Sequence, residues 1–235
     1  MSESTTDAFV LKKTVYKESD YIVNFFTRDF GKVSVIARNA KKSRKRFVGR
    51  LEQFLELRII FSTGIRKINY LEDIKVLQSL SGISADYEKF KWGSFILEYI
   101  ENLSANDEIN TALYTLLRKT LERLNEKFNI HDVLRFQYLS LKCVGINPEL
   151  KICYKCGNNV KEFGYLSTRK GGLLCKSCFE KIRVRIREND VKFLLNFRED
   201  DTKAIMHNIN LLTNFTKYHT GKEFKSEKFV MENNI

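Results

Sequence analysis

Two Cys-x-x-C pairs constrain the fold of this 235-residue chain more than any other feature. The four cysteines are Cys153, Cys156, Cys175 and Cys178. The pairs are separated by 18 residues, 157–174, a spacing typical of four-cysteine zinc sites. Gly157, Gly171 and Gly172 lie beside the pairs, and glycine allows the positive φ that tight metal-binding loops often need. Because four sulfur ligands leave no open coordination position, the spacing predicts one structural Zn²⁺ and not a catalytic one.

Two alternatives fit the cysteines less well. A redox dithiol of the thioredoxin type needs one pair beside a βαβ pattern, and disulfides need an oxidising compartment. Residues 1–7 are polar and acidic, unlike a signal peptide, and no apolar run approaches the roughly 18 residues of a membrane span. We therefore expect a cytoplasmic protein without a membrane anchor, whose cysteines are reduced or bound to metal.

The charge of the chain points to a polyanionic partner. The 41 Lys and Arg residues exceed the 29 Asp and Glu residues by 12, and nucleic acid is the commonest partner of so basic a protein. A generally lysine-rich proteome would produce the same charge, so its distribution has to decide. Residues 38–50 carry seven cations and no acid. We predict that these cations contact the phosphates of DNA: Arg38, Lys41, Lys42, Arg44, Lys45, Arg46 and Arg50.

The first 80 residues read as β structure. The predicted strands are residues 8–16, 21–27, 32–38, 55–62 and 68–80, after a frayed tail at residues 1–7. Five short strands predict a closed barrel of the OB-fold type, although an SH3-like barrel or a meander would give the same count. The basic run falls between the third and fourth strands, so we expect a loop that leaves the barrel.

Aromatic side chains on the early predicted strands have two interpretations. They are Tyr21, Phe25, Phe26 and Phe30. Single-strand binders use such residues to stack bases, but Phe is more often buried in a core. We favour core positions for these four.

Beyond residue 81 the apolar period becomes helical. Predicted helices at residues 86–103, 108–125 and 131–144 would form a small bundle. Their expected N-caps are Ser84, Asn106 and Asn129, and Gly145 is an expected stop.

After the cysteines, the pattern predicts a strand at 181–187 and helices at 190–197 and 201–218. The strand alternates cations with aliphatic residues, and either a nucleic-acid surface or a half-buried edge fits it.

Together these patterns predict a multi-domain α+β protein. An OB-fold DNA-binding domain would occupy residues 1–80, and an α-helical bundle would occupy residues 81–235, with the zinc module at about residues 150–180. The sequence has no phosphate-binding G-x-x-x-x-G-K-[ST] loop, H-E-x-x-H or G-x-S-x-G motif. We therefore do not expect an enzyme.

Several stretches resemble the RecO family of bacterial DNA repair proteins, which are recombination mediators. Residues 16–38 read Y-K-E-S-D-Y-I-V-N-F-F-T-R-D-F-G-K-V-S-V-I-A-R, K-K-S-R follows, residues 51–54 read L-E-Q-F, and residues 218–229 read Y-H-T-G-K-E-F-K-S-E-K-F. The cysteine pairs and the order of barrel, helices and zinc module extend the resemblance over nearly the whole chain. Asn39 stands where the family usually has glycine, and Asn tolerates the same left-handed backbone region.

The resemblance implies an OB-fold that binds single- and double-stranded DNA and anneals complementary strands. It implies two protein partners, RecR and the acidic C-terminal tail of the single-stranded DNA-binding protein, and a role in loading the RecA recombinase. Arg118, Arg123 and Arg135 are candidates for the cationic rim that such a tail requires. The protein would be a monomer when alone and would associate with the nucleoid. Some members lack the cysteines, which fits a structural zinc.

Two other functions stay open from the sequence. One is a zinc-containing enzyme that processes nucleic acid and carries an OB appendage, which would require a carboxylate cluster and would cleave strands with Mg²⁺. The other is a non-catalytic protein-interaction scaffold whose charges are simply solvated, which a DNA column at low salt would fail to retain.

Overall fold

The computed structural model describes residues 2–64, 68–181, 190–194 and 201–231. The described chain is a mixed α+β fold in which an N-terminal sheet precedes most of the helices, as predicted. It divides into two compact units, Met1–Phe128 and Asn129–Ile235. In the described residues, no helix has both the length and the apolarity needed to cross a membrane.

The first unit is built on a closed five-stranded barrel. Its strands are β1 (Ser2–Tyr16), β2 (Asp20–Thr27), β3 (Gly31–Ala37), β4 (Leu55–Thr63) and β5 (Asn69–Ser79). The order around the barrel is β1-β2-β3-β5-β4, and β1 closes it by pairing antiparallel with both β2 and β4. The β3–β5 pair is parallel.

The expectation of a frayed tail was wrong for residues 2–7. They extend β1, with Ser2 opposite Thr63 of β4, and Thr6 and Asp7 are buried. Polar residues give no apolar alternation to indicate a strand, but the edge of β4 opposite β5 has backbone N–H and C=O groups that need partners, and residues 2–7 provide them.

Alternating side chains of the barrel strands fill its interior. Val23 and Phe25 of β2 and Val35 of β3 belong to this core and are at most 1% exposed. Phe26 faces the other side of β2 and is equally buried, with its ring 6.1 Å from that of Tyr114. The core interpretation of these aromatics is therefore confirmed at Phe25 and Phe26.

The other two early aromatics also lie against the barrel. Phe30 is half-buried and meets Phe61 edge to face, with ring centroids 5.4 Å apart. Tyr21 is half-buried, and the ammonium groups of Lys13 and Lys41 lie 5.4 and 5.7 Å from its ring centroid.

Three helices complete the first unit: α1 (Ser81–Ser84), α2 (Tyr87–Leu103) and α3 (Thr111–Glu126). Asp86 caps α2 by accepting from the Lys89 N–H, and Asn110 caps α3 by accepting from the Leu113 N–H. The predicted caps Ser84 and Asn106 were therefore wrong. The capping side chain must reach an N–H only two or three residues ahead, so it lies immediately before the helix.

The segment before α3 contacts the start of β3 closely. Gly31 has φ +66°, and a Cβ there would lie 2.1 Å from the Glu108 carbonyl oxygen. The Asp107 N–H donates to the Lys32 carbonyl at 3.1 Å. This contact ties the helices to the barrel, which is why both belong to one compact unit.

The second unit contains α4 (Ile130–Cys143), β6 (Glu149–Cys153), β7 (Phe163–Ser167), β8 (Gly172–Leu174), α5 (Lys176–Lys181), β9 (Asp190–Leu194), α6 (Thr202–Thr220) and α7 (Glu227–Met231). Among the described residues its strands form one sheet of order β6-β8-β7-β9. Gln137 of α4 donates to Thr213 Oγ1 of α6 at 2.9 Å. This buried hydrogen bond joins the two longest helices of the unit.

Some helix predictions for this unit are confirmed and others are not. Asn129 caps α4 as expected, Gly145 follows that helix with φ +75°, and Asp201 caps α6. However, α4 belongs to the second unit instead of a bundle with α2 and α3.

The two short segments after the cysteines were predicted with less success. Residues 190–194 form strand β9, antiparallel to β7, where a helix was predicted. Lys181, the first residue of the predicted strand at 181–187, ends α5 instead, and the rest of that strand lies outside the described residues. Residues 195–197, the end of the predicted helix, also lie outside them. The sheet offers β7 as a pairing partner, and such long-range pairing overrides local helical preference.

Candidate nucleic-acid interface and metal centre

The basic loop, defined as residues 38–50, is fixed at its start against the β1–β2 turn. Asn39 adopts the left-handed conformation, with φ 54°. This is the conformation expected at a position where related proteins have glycine. Its N–H donates to Asp20 Oδ1 at 2.8 Å, and the Lys41 N–H donates to the Ser19 carbonyl at 3.0 Å. Residues Ala40–Lys42 then form one 3-10 turn. The backbone that carries the first cations therefore has a defined position.

The middle of the basic loop is anchored in the barrel. Phe47, which is 5% exposed, and Leu51 just beyond the loop, which is 3% exposed, belong to the barrel core. The Ser43 hydroxyl oxygen accepts from the N–H groups of Arg46 and Phe47, both at 3.1 Å. The expectation of a loop that leaves the barrel was wrong, because two apolar side chains in or beside the basic run reach the core.

Several cations of the loop donate to backbone carbonyls. Arg46 donates to the Leu71 carbonyl at 2.7 Å and Arg50 to the Ile74 carbonyl at 3.2 Å, both on β5. Lys41 donates to the Lys17 carbonyl at 3.0 Å. Within the described part of the chain, none of the seven cations forms an ion pair with an acid. A carbonyl carries no net charge, so the positive charge of the loop is not neutralised by the protein.

A groove of about 530 Å³ lies between the basic loop and β5. It is lined by Arg38, Asn39, Lys42, Ser43, Arg46, Phe47, Tyr70, Leu71 and Glu72. Three of the seven predicted DNA-binding cations thus lie around one concave surface. The sequence did not identify Tyr70 of β5 as a residue of this site, because its position in a strand gives no sign that it faces the basic loop.

The four cysteine sulfurs come together in the second unit. They all lie within 4.8 Å of one another, and the Sγ atoms of Cys156 and Cys175 are 3.8 Å apart. Zinc–sulfur bonds of about 2.3 Å in a tetrahedron place sulfurs roughly 3.8 Å apart, whereas a disulfide requires about 2.05 Å. The donor set and spacing therefore fit one tetrahedral zinc ion.

A tight turn and the start of a short helix bring the cysteine pairs to this position. Cys153 ends β6, and its carbonyl accepts from the Gly157 N–H at 2.8 Å, with Gly157 at φ +74°. Cys175 follows β8, and Cys178 lies in α5. The positive φ expected of the flanking glycines occurs at Gly157 and Gly171, whereas Gly172 lies in β8 without it.

The thiols affect one another's ionisation. Burial acts to raise the pKa of Cys153, but the N–H groups of Cys175, Cys156 and Lys155 stabilise its thiolate and lower the pKa to about 6. Burial and the neighbouring thiols raise the pKa of Cys178 to about 12. Because one thiolate opposes the ionisation of the next, all four become thiolates only when a cation lies among them.

The three arginines considered for an acidic partner lie in different surroundings. Arg118 of α3 is already paired, at 3.3 Å from Glu56 and 3.2 Å from Glu122. Arg123 is exposed on the same helix, and Arg135 is exposed on α4 of the second unit. Another carboxylate would therefore compete with these two acids for Arg118.

Comparisons with known proteins cover almost the whole chain. A family model described as Recombination protein O N terminal matches residues 1–80, and one described as Recombination protein O C terminal matches residues 84–228. A DNA repair protein RecO from Syntrophus aciditrophicus is 32% identical over 97% of this chain and 95% of that protein. RecO proteins from Caldanaerobacter subterraneus, 28% identical over 97% of each chain, and Listeria monocytogenes serotype 4b, 31% identical over 96% and 93%, are also similar.

Proposed function

This chain belongs to the RecO family of DNA repair proteins, and we propose that it is a non-catalytic recombination mediator that binds DNA through its basic loop. One observation carries this proposal. Seven cations lie on a loop whose backbone is held against the barrel, and none is paired with a described acid. Such a surface attracts a polyanion.

The mechanism of binding is electrostatic. The cations replace counterions along the sugar-phosphate backbone, and the released counterions drive binding. The anchoring of Phe47 and the hydrogen bonds of Arg46 and Arg50 fix much of the loop in advance, so less conformational entropy is lost on binding. When two strands are bound together, the same charges reduce their mutual repulsion, which favours annealing of complementary strands. The barrel that carries the loop is, in this proposal, an OB-fold, a class that commonly holds oligonucleotides.

A structural Zn²⁺ is part of the same proposal. Cys153, Cys156, Cys175 and Cys178 would hold it, and four thiolates leave no position for a reacting water. The bound ion would supply local folding free energy to the surrounding sheet. We propose no catalytic role for the metal or for the side chains around it.

The proposed protein partners are those that membership of the RecO family implies. With RecR, the protein would help load the RecA recombinase onto single-stranded DNA, and it would bind the acidic tail of the single-stranded DNA-binding protein. Arg118, Arg123 and Arg135 are the candidates for that tail, and Arg118 already has two acidic neighbours.

A charge-reversal pair tests DNA binding. One variant changes Lys41, Lys42, Arg44 and Lys45 to Glu, and its matched control changes four exposed lysines elsewhere, Lys119, Lys127, Lys142 and Lys170. Both variants change net charge equally. Fluorescence anisotropy on oligo-dT should show that the loop variant loses most of its affinity while the control keeps most of it. Equal losses in the two variants would refute the loop assignment.

The salt dependence gives a second measure. Seven phosphate contacts predict a log–log slope near −5 for the wild type, from about −0.7 per contact on single strands. The loop variant should have a slope near −2, since about three contacts remain.

The remaining parts of the proposal need separate assays. Annealing of complementary strands, with and without the single-stranded DNA-binding protein, tests the mediator role. Incubation of labelled strands with the protein and Mg²⁺ tests the absence of catalysis, and appearance of cleaved strands would contradict it.

A further inference from the structure

Arg38 and Tyr70 form a stacked pair at the groove beside the basic loop. The Arg38 guanidinium carbon lies over the Tyr70 ring, 3.8 Å from its centroid, which is within van der Waals contact and well inside the range of a cation–π interaction. Arg38 is exposed and Tyr70 is half-buried. The guanidinium therefore has one side on the ring and its other side toward solvent.

The barrel holds this pair in place. Arg38 directly follows β3, and Tyr70 lies on β5, where its partner in the parallel pairing is Ile36 of β3. A Cβ at Gly64 would come within 3.1 Å of the Tyr70 ring, so the ring packs closely against the backbone there. With the ring fixed, Arg38 has a defined surface on which to rest.

The rest of the groove offers an apolar part beside its charged rim. Phe47 and Leu71 line it and are buried, so it has an apolar part. Glu72 also lines it, and its carboxylate accepts from the Ser62 hydroxyl at 2.5 Å. Lys42 and Arg46 line the groove as well, so its cationic rim suits a phosphate, while its apolar part suits an uncharged base.

We propose that Arg38, positioned by Tyr70, is a stacking platform for an unpaired base. A base on the free side of the guanidinium would extend the Tyr70–Arg38 column by one layer, as bases stack on arginine planes in single-strand complexes. Bases in a duplex already stack on each other, so this contact favours single strands. The inference rests on the proposed DNA binding, and it assigns Arg38 to a base contact in place of one of the seven phosphate contacts. Six phosphate contacts then remain, and the expected salt slope becomes about −4.

The test separates bases from phosphates. Wild-type protein is titrated with oligo-dT and with an abasic oligonucleotide of equal length and equal phosphate number. We expect roughly tenfold tighter binding to oligo-dT, the gain typical of one stacked base. The Arg38→Lys variant keeps the charge but has no planar group, so it should bind both oligonucleotides with equal affinity. On the abasic strand its salt slope should equal that of the wild type.

Two variants at Tyr70 act as a matched pair. Tyr70→Phe keeps the ring and should keep the preference for oligo-dT, whereas Tyr70→Leu removes the ring and should reduce it. Retention of the full preference by Arg38→Lys would overturn the proposal. Equal wild-type binding of both oligonucleotides would also overturn it while leaving phosphate binding intact, and failure to bind either one would instead reject the proposed function.

Discussion

A buried carboxylate in the first unit shows how single residues join the barrel to its helices. Glu56 of β4 is 6% exposed, and Tyr114 of α3 is 3% exposed. The Tyr114 hydroxyl donates to Glu56 Oε1 at 3.0 Å, and Arg118 lies 3.3 Å from the other carboxylate oxygen. Both oxygens thus have partners, as a buried charge requires.

Removing the Tyr114 hydroxyl should destabilise the first unit. We expect the Tyr114→Phe substitution to lower the free energy of unfolding by about 1–3 kcal/mol, because one oxygen of Glu56 would lose its donor while still buried. Urea unfolding at pH 8 measures this. As a control, Tyr87→Phe changes a tyrosine of α2 that is 64% exposed and should have little effect. Equal stability of the Tyr114→Phe variant and the wild type would contradict the interpretation.

The same tyrosine predicts a dependence on alkaline pH. Burial, followed by the charge of Glu56, raises the pKa of Tyr114 well above its ordinary value. In the unfolded chain the phenol ionises near pH 10, whereas in the folded chain it stays protonated. The unfolded state therefore binds fewer protons above pH 10, and stability falls by up to about 1.4 kcal/mol per pH unit for this group.

Comparing the wild type with Tyr114→Phe separates the ionisation of Tyr114 from that of the other tyrosines. Between pH 9 and pH 11 the wild type should lose more stability than Tyr114→Phe, as measured by urea unfolding at each pH. Parallel losses in the two proteins would show that Tyr114 titrates normally in the folded state.

Among the glycines that the structure describes, Gly31 has the closest contact at the position a Cβ would occupy. Its φ of +66° disfavours any side chain, and a Cβ would lie 2.1 Å from the Glu108 carbonyl oxygen. We expect Gly31→Ala to lower the unfolding free energy by more than about 2 kcal/mol, since strain and a backbone clash combine. Gly49→Ala is the matched control, with a similar φ of +65° and nothing within 4 Å. Thermal unfolding should show a clearly larger loss for Gly31→Ala.

At the scale of elements, a buried apolar side chain helps to hold the basic loop, beside the hydrogen bonds of its arginines. Phe47 lies in the barrel core at 5% exposure. We expect Phe47→Ala to cost about 3–5 kcal/mol of stability and also to weaken binding to oligo-dT, because the released loop must be ordered on binding. Phe95→Ala on α2, at a fully buried position of the same unit, should cost similar stability without reducing DNA affinity. Equal affinities of the two folded variants would contradict this role of Phe47.

The elements that could be predicted from the sequence are those with a local signal. Alternating apolar residues located all five barrel strands to within a few residues, except at the polar start of β1, where pairing with β4 supplies the order. The cysteine spacing identified a cluster that the structure brings within 4.8 Å. By contrast, the Arg38–Tyr70 pair joins residues 32 positions apart, and Phe47 is buried in a core shared with Leu71, 24 positions away. No local pattern encodes such contacts.

On the scale of the whole molecule, the change from strands to helices near residue 80 does not coincide with the boundary of the compact units. Helices α1, α2 and α3 stay with the barrel, and the division falls at Phe128 and Asn129. The contact of Gly31 and Lys32 with residues 106–108 explains part of this. It joins residues about 75 positions apart, so the sequence periodicity that separates strands from helices does not reveal it.

The division into two compact units predicts that loss of the metal destabilises the second unit and leaves the first unit folded. If the four cysteines hold zinc as proposed, prolonged chelation or the Cys156→Ser substitution should release one ion per chain. The region around β6, β7 and β8 should then unfold, since the ion would supply its local folding free energy. Amide hydrogen exchange should rise at residues 149–180 while the barrel strands of the first compact unit keep their protection. The Cys143→Ser variant changes a thiol of α4 outside the cluster and should retain the metal. Elemental analysis that finds no zinc in protein purified without chelator would refute the site, and equal exchange in both units would show that the metal stabilises the whole chain instead of its own sheet.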